Sequence, residues 1–122
     1  MYRVLICGSR DWTDKYAISC VLNGYRSDEI GITVINGGAR GADSIAKWWA
    51  DVNQEPRETY PADWKQHGKA AGLIRNQRML EEGKPDVVWA FVTKPLEESR
   101  GTHDMVRRAK AAGIPVYVVH TE

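Results

Sequence analysis

Short apolar runs alternate with amphipathic stretches along the chain. The runs cover residues 2–7, 33–36, 57–60, 86–92 and 115–120, each short enough for a buried strand. Between them, Ala17, Ile18, Val21, Leu22 and Tyr25 recur at helical spacing, as do Ala42, Ile45, Ala46, Trp49 and Val52. Ala70, Leu73, Ile74 and Leu80 mark a third helix, and Met105, Val106, Ala109 and Ala112 a fourth. Gly83 and Gly113, each with a proline two residues later, read as helix ends. Strands that alternate with helices imply parallel pairing, because a parallel neighbour is reached only by a crossover. Right-handed crossovers then predict an α/β protein with a three-layer, doubly wound parallel sheet of order 3-2-1-4-5 and four main helices. Residues 93–101, TKPLEESRG, read as a mobile polar loop.

Composition narrows this picture only a little. A chain of 122 residues fits one domain, 1–122. Seventeen Lys plus Arg against sixteen Asp plus Glu give a formal charge of +1, which removes the global electrostatic case for a dedicated nucleic-acid or membrane binder. Any charge effect is local. Cys7 and Cys20 sit in apolar surroundings without metal or redox spacing, so both read as buried free thiols. No run approaches the length of a membrane span or a signal-peptide core. The expectation is a cytoplasmic protein with no membrane partner.

The candidate chemistry follows from the topology. In an open sheet of this order, ligands lie beyond the carboxyl ends of the strands, where strand order reverses. That point falls between the first and fourth strands. The loops CGSR, NGGARGAD and SRGTHD all reach this edge. In the second loop, Gly37, Gly38 and Gly41 either make a tight turn and close packing, or bring backbone up to a phosphate at a helix start. Gly8, Ser9, Gly101 and Thr102 extend the candidate ligand site, with Thr102 able to cap its helix or to donate to a phosphate. Arg10, Arg40 and Arg75 are forked cations suited to phosphate. Asn76 and Asp43 are candidates for ribose or for orienting the arginines. Asp43 and Asp104 are both placed in a helix first turn, where a carboxylate also suits the dipole. Trp12, beside GSR, either stacks on a base or packs in the core, Trp48 is a candidate subunit contact, and PADW, 61–64, is a possible rim element. There is no GxxxxGK[ST], GxGxxG or GxSxG, which argues against a P-loop enzyme, a standard dinucleotide site and a nucleophile elbow. His103 has no second histidine at ligand spacing, so no metal and no cofactor are expected.

Taken together and in order, CGSRDW, NGGARGAD, AGLIRNQRM and RGTHDMVRRAKAAGIPVYVV resemble the SLOG superfamily of Rossmann-like domains. The resemblance is greatest to its YspA/cpYpsA-related branch, found in bacteria and their phages. It implies a nucleotide-like small-molecule ligand, bound for sensing or processing. Two more distant likenesses frame the alternatives. LOG-type phosphoribohydrolases, which cleave the base from nucleoside 5′-monophosphates, carry a GGxGTxxE element; Gly101 and Thr102 match its GT, while its glutamate position holds Met105. An N-glycosidase of this type would use Asp104 with Arg75 as catalytic groups. DprA-type proteins, which bind single-stranded DNA, carry a GGARGID-like loop and a later RNR, resembled by NGGARGAD and by Arg75, Asn76 and Gln77. The near-neutral charge disfavours a nucleic-acid partner. A homo-oligomer is expected, since symmetric pairs are the commonest assemblies.

Overall fold

Alternating side chains along Val4, Leu5, Ile6 and Cys7 point to opposite faces of the first strand, and all four are buried. A strand covered on both faces belongs at the centre of a sheet. In the computed structural model, which describes residues 2–27 and 29–121, this strand, β1 (Tyr2–Gly8), lies between β2 (Ile32–Asn36) and β4 (Val87–Val92). β3 (Arg57–Thr59) and β5 (Val116–His120) form the edges, giving the order β3-β2-β1-β4-β5. Every pairing is parallel, with Val4 opposite both Val34 and Val87. The predicted architecture is therefore the observed one.

Four long helices cover the sheet: α1 (Lys15–Tyr25), α2 (Ala42–Val52), α4 (Ala71–Gly83) and α5 (Arg100–Ala111). A one-turn helix, α3 (Trp64–His67), precedes α4 and is an element the periodicity does not reveal. Val4, Ile6, Val34 and Phe91 pack with Ile18, Leu22 and Trp49 beneath α1 and α2. Leu5, Cys7, Ile35 and Val88 pack with Met79, Met105 and Ala109 beneath α4 and α5. No helix among the described residues is long and apolar enough to cross a membrane.

Of the two readings of Trp12, packing in the core is the observed one: it is 3% exposed, meets Phe91 edge-on with ring centroids 5.3 Å apart, and donates its Nε1 to the Asp14 carbonyl. Several other local expectations are corrected. Cys20 is exposed, whereas Cys7 is buried as expected. The inner face of α4 is Ala71, Asn76, Met79 and Gly83, and Ile74 is exposed. Lys84, at φ +45°, takes the left-handed position after α4, because Gly83 is still helical and its bare face lies against Ile35 and Tyr60. Residues 96–98 form a 3-10 turn and α5 starts at Arg100, so much of the supposed loop is ordered chain. Ser99 is the cap position of α5. Thr102 therefore lies inside the first turn, and Asp104 lies beyond it.

Candidate functional site

The carboxyl ends of β1, β2 and β4 open into a cleft of about 630 Å³ at the predicted reversal of strand order. Gly8, Ser9 and Arg10 reach it from β1, and Arg40 and Asp43 from the β2–α2 corner. Arg75 and Asn76 reach it from α4, and Gly101 and Thr102 from the start of α5. Gly37 and Gly38 line an adjoining cavity of about 440 Å³, which shares Arg10, Ala39, Arg40 and Arg75 with the cleft. Gly41 and Asp104 line neither cavity.

The loops are joined to one another before any ligand is considered. The Ser9 N–H donates to the Phe91 carbonyl (2.9 Å), and the Ser9 Oγ accepts from the Thr93 N–H (3.0 Å). The Ser9 carbonyl accepts from Ala42 N–H at the start of α2 (3.3 Å). This close approach explains one glycine: a Cβ at Gly41 would collide with the Ser9 carbonyl and the Arg10 backbone. Gly37 is explained differently, because a Cβ there would overlap the Arg75 guanidinium and approach the Asp43 carboxylate.

Asp43 and Arg75 shape the floor. Asp43 Oδ2 accepts from the N–H groups of Gly37 (2.9 Å) and Ala39 (3.3 Å). Burial pushes its carboxyl above the ordinary Asp range, offset only in part by those N–H groups and by the charges of Arg75 and Arg10. Arg75 Nη1 donates to the Gly37 carbonyl (2.6 Å) and its Nε to Asn76 Oδ1 (3.1 Å). Asn76 Nδ2 in turn donates to the Gly101 carbonyl (2.9 Å) and to Asp104 Oδ2 (3.1 Å). Consecutive residues of α4 thus hold the β2–α2 loop on one side and the start of α5 on the other.

Asp104 is 6% exposed and its carboxylate also accepts from Arg107 and Arg108. Burial raises its pKa, but the hydrogen bonds from Asn76, Arg108 and Arg107, with the Arg108 charge, outweigh it and hold the group below the ordinary range. Cys7 borders the cleft, and burial pushes its thiol up, so it stays protonated.

Two features give the cleft its electrostatic character. Asp14 caps α1 and Asp63 caps α3 through side-chain hydrogen bonds, whereas α2 and α5 start at Gly41 and Ser99 with no side-chain cap bond. α4 likewise starts without a side-chain cap bond, at Ala70 where it continues from a 3-10 turn, so α2 and α5 are the uncapped starts that reach the cleft. Cations line the same walls: Arg10, Arg40 and Arg75, joined by Lys94 and Arg100. Lys94 and Arg100 were missed in the sequence, although both flank the loop that leads into the GT pair. Acidic neighbours are Asp11, Asp43 and Glu98. Among the described residues, no cluster of three or more His, Cys, Asp or Glu side chains is arranged to hold a metal.

Sheet and cleft together define a Rossmann-like α/β protein whose glycine-rich corners and arginines meet at the switch point. The model of the YspA, cpYpsA-related SLOG family matches residues 2–67. The Gene 61 protein of Mycobacterium phage D29 is 44% identical over 122 residues, covering 95% of this chain and 94% of that protein. The chain belongs to the YspA, cpYpsA-related SLOG family. No solved structure matches it. The matched segment contains the first two loops and Trp64, while Arg75, Asn76 and the start of α5 lie beyond it.

Proposed function

We propose that the protein binds a nucleotide or nucleotide-derived ligand in the cleft, for sensing or processing, with phosphate at the starts of α2 and α5. The observation that carries this reading is the coincidence of both helix starts lacking a side-chain cap bond with Arg10, Arg40, Arg75, Lys94 and Arg100 on one cleft. The N–H groups of the first helical turns, apart from that of Ala42 which the Ser9 carbonyl takes, and the positive dipole end favour an anion there, and guanidinium forks match phosphate oxygens. Gly101 adds room, since a Cβ at that position would meet nothing within 4 Å. Family membership supports the same ligand class.

The test is calorimetric titration with AMP, ADP, ADP-ribose and cyclic nucleotides, alongside the matching nucleosides. Phosphorylated ligands bind and nucleosides do not, and Arg40→Ala weakens binding about 10-fold or more at unchanged thermal stability. Unchanged affinity in Arg40→Ala overturns the assignment.

A second, enzymatic reading is cleavage of an N-glycosidic bond. Such chemistry places a carboxyl group beside the sugar. Asp104 with Arg75 is the pair suggested by sequence, but the Asp104 carboxylate is engaged by Asn76, Arg107 and Arg108 and lines neither cavity. Asp43 does line the cleft, and its raised pKa suits a proton donor. Release of free base from AMP that is lost in Asp43→Asn and kept in Asp104→Asn supports Asp43. Absence of base release from any nucleoside monophosphate removes the enzymatic reading.

A further inference from the structure

Trp64 is half exposed on a helix of four residues, none of them buried. A large indole ring left in water at no benefit to the core invites another use. It lines the second cavity, about 440 Å³, together with the glycine corner Gly37–Gly38, Pro61 and Ala62. That volume alone falls within the range of small-molecule sites, roughly 300 to 1,000 Å³. Arg10, Ala39, Arg40 and Arg75 border both cavities, so the cations stand at the junction between the proposed phosphate cleft and the indole.

We propose that this second cavity is the base subsite of the nucleotide site, with a purine or pyrimidine ring stacked on the Trp64 indole and the phosphate in the adjoining cleft. The inference rests on the nucleotide reading and deepens it. A nucleotide carries its charge and its π-face at opposite ends of a ribose. The molecule offers matching surfaces on either side of the arginines. The Arg10 guanidinium lies over the Trp64 ring at 6.0 Å, the outer reach of a cation–π contact. A base can take that face while Arg10 turns to the phosphate beside it. The α4 side of the ring is also accommodated, since a Cβ at Gly72 would touch the indole at 3.4 Å.

The other tryptophans do not compete for this role. Trp12 is sealed against Phe91, Trp49 is 2% exposed, and Trp89 stacks with Phe91 and Tyr117 and borders neither cavity. Trp48 is exposed and carries Lys15 over its ring at 5.0 Å, but it borders neither cavity. Exposure and an overlying cation are thus insufficient by themselves. Position at the junction distinguishes Trp64.

The experiment titrates AMP, GMP, CMP and UMP, with ribose 5-phosphate as the baseless probe, into wild type, Trp64→Phe and Trp64→Ala by calorimetry. At least one nucleotide binds wild type more tightly than ribose 5-phosphate does. Trp64→Ala weakens that nucleotide by roughly 5- to 150-fold, the range of base-aromatic stacking, and leaves ribose 5-phosphate unchanged. Trp64→Phe restores most of the loss. Circular dichroism and thermal unfolding of both variants match wild type, since the ring is not part of the core. If Trp64→Ala leaves the nucleotide unaffected, or weakens nucleotide and ribose 5-phosphate equally, the base subsite is overturned. If ribose 5-phosphate binds as tightly as every nucleotide, the base subsite falls while the phosphate reading stands. If neither class binds, both fall. Binding of a single-stranded oligonucleotide with no binding of any mononucleotide overturns the proposal and assigns the platform to nucleic acid.

Discussion

A methyl group added at Gly41 would strike the Ser9 carbonyl and the Arg10 backbone, on a residue already at φ +74°. Gly101 is the opposite case: its φ is ordinary and a Cβ there would enter open space beside the cleft. Gly41→Ala should therefore lower stability by about 1 to 3 kcal/mol through strain and overpacking. Gly101→Ala should be neutral, or gain up to about 0.5 kcal/mol from helix propensity, while weakening phosphate binding. Urea midpoints at unchanged m-value, with nucleotide titration of both variants, check the pair. Equal losses of stability in the two would contradict the assignment of roles. The excess of glycine in INGGARGAD is legible in the sequence, but its reason is not. Gly37 makes room for Arg75, and Gly38 for Thr59, whose Cγ2 a Cβ would approach to 2.9 Å. Close packing is one of the two readings and Gly41 shows it, but the neighbours of Gly37 and Gly38 arrive from distant parts of the chain, so no local pattern names them.

Among the elements, α4 departs furthest from its pattern. Ile74 and Leu73 suggest an apolar stripe, yet Asn76 is among the buried residues, at 3% exposure, and Ile74 faces water. A polar side chain turns inward here because every part of its amide is used: Oδ1 accepts from Arg75, and Nδ2 donates to Gly101 and Asp104. Hydropathy periodicity has no means of marking such a residue. The motif RNQ was the only signal; it pointed to a ligand or to orienting the arginines, and Asn76 does hold Arg75, but it did not point to a bridge between loops. Asn76→Leu keeps the branched shape, removes those bonds and leaves the Arg75 Nε without its acceptor. It should lower stability by about 1 to 3 kcal/mol, read from the urea midpoint. It should also reduce the affinity for phosphorylated ligands, because the start of α5 is no longer tied to the β2–α2 loop. Full stability in this variant would show that the bridge is dispensable.

At the scale of the whole molecule, the strand order was legible because alternation and handedness leave few topologies for five strands. The position of the cleft follows from that order. The placement of charge within it does not: a net charge of +1 conceals Arg10, Arg40, Arg75, Lys94 and Arg100 on one cleft, and the carboxylates beneath them are pushed in opposite directions. That opposition has a signature in the stability of the folded chain. Asp43 has a raised folded pKa, so its contribution is fully present below the unfolded value of about 3.9 and is lost as pH rises through the raised one. Asp104 has a lowered folded pKa, so its contribution is present above about 3.9 and is lost as pH falls through the lowered one. Stability measured by urea unfolding between about pH 2.5 and 7 should therefore separate the variants by slope rather than by offset. Relative to wild type, Asp43→Asn gains stability as pH rises above about 4, because it never bears the cost of a buried charge. Relative to wild type, Asp104→Asn recovers as pH falls below about 4, because wild type is then losing the ion pairs with Arg107 and Arg108 that the variant already lacks. Parallel pH profiles for wild type and Asp43→Asn would mean that Asp43 ionises as freely in the fold as in water, and would remove its candidacy as a proton donor.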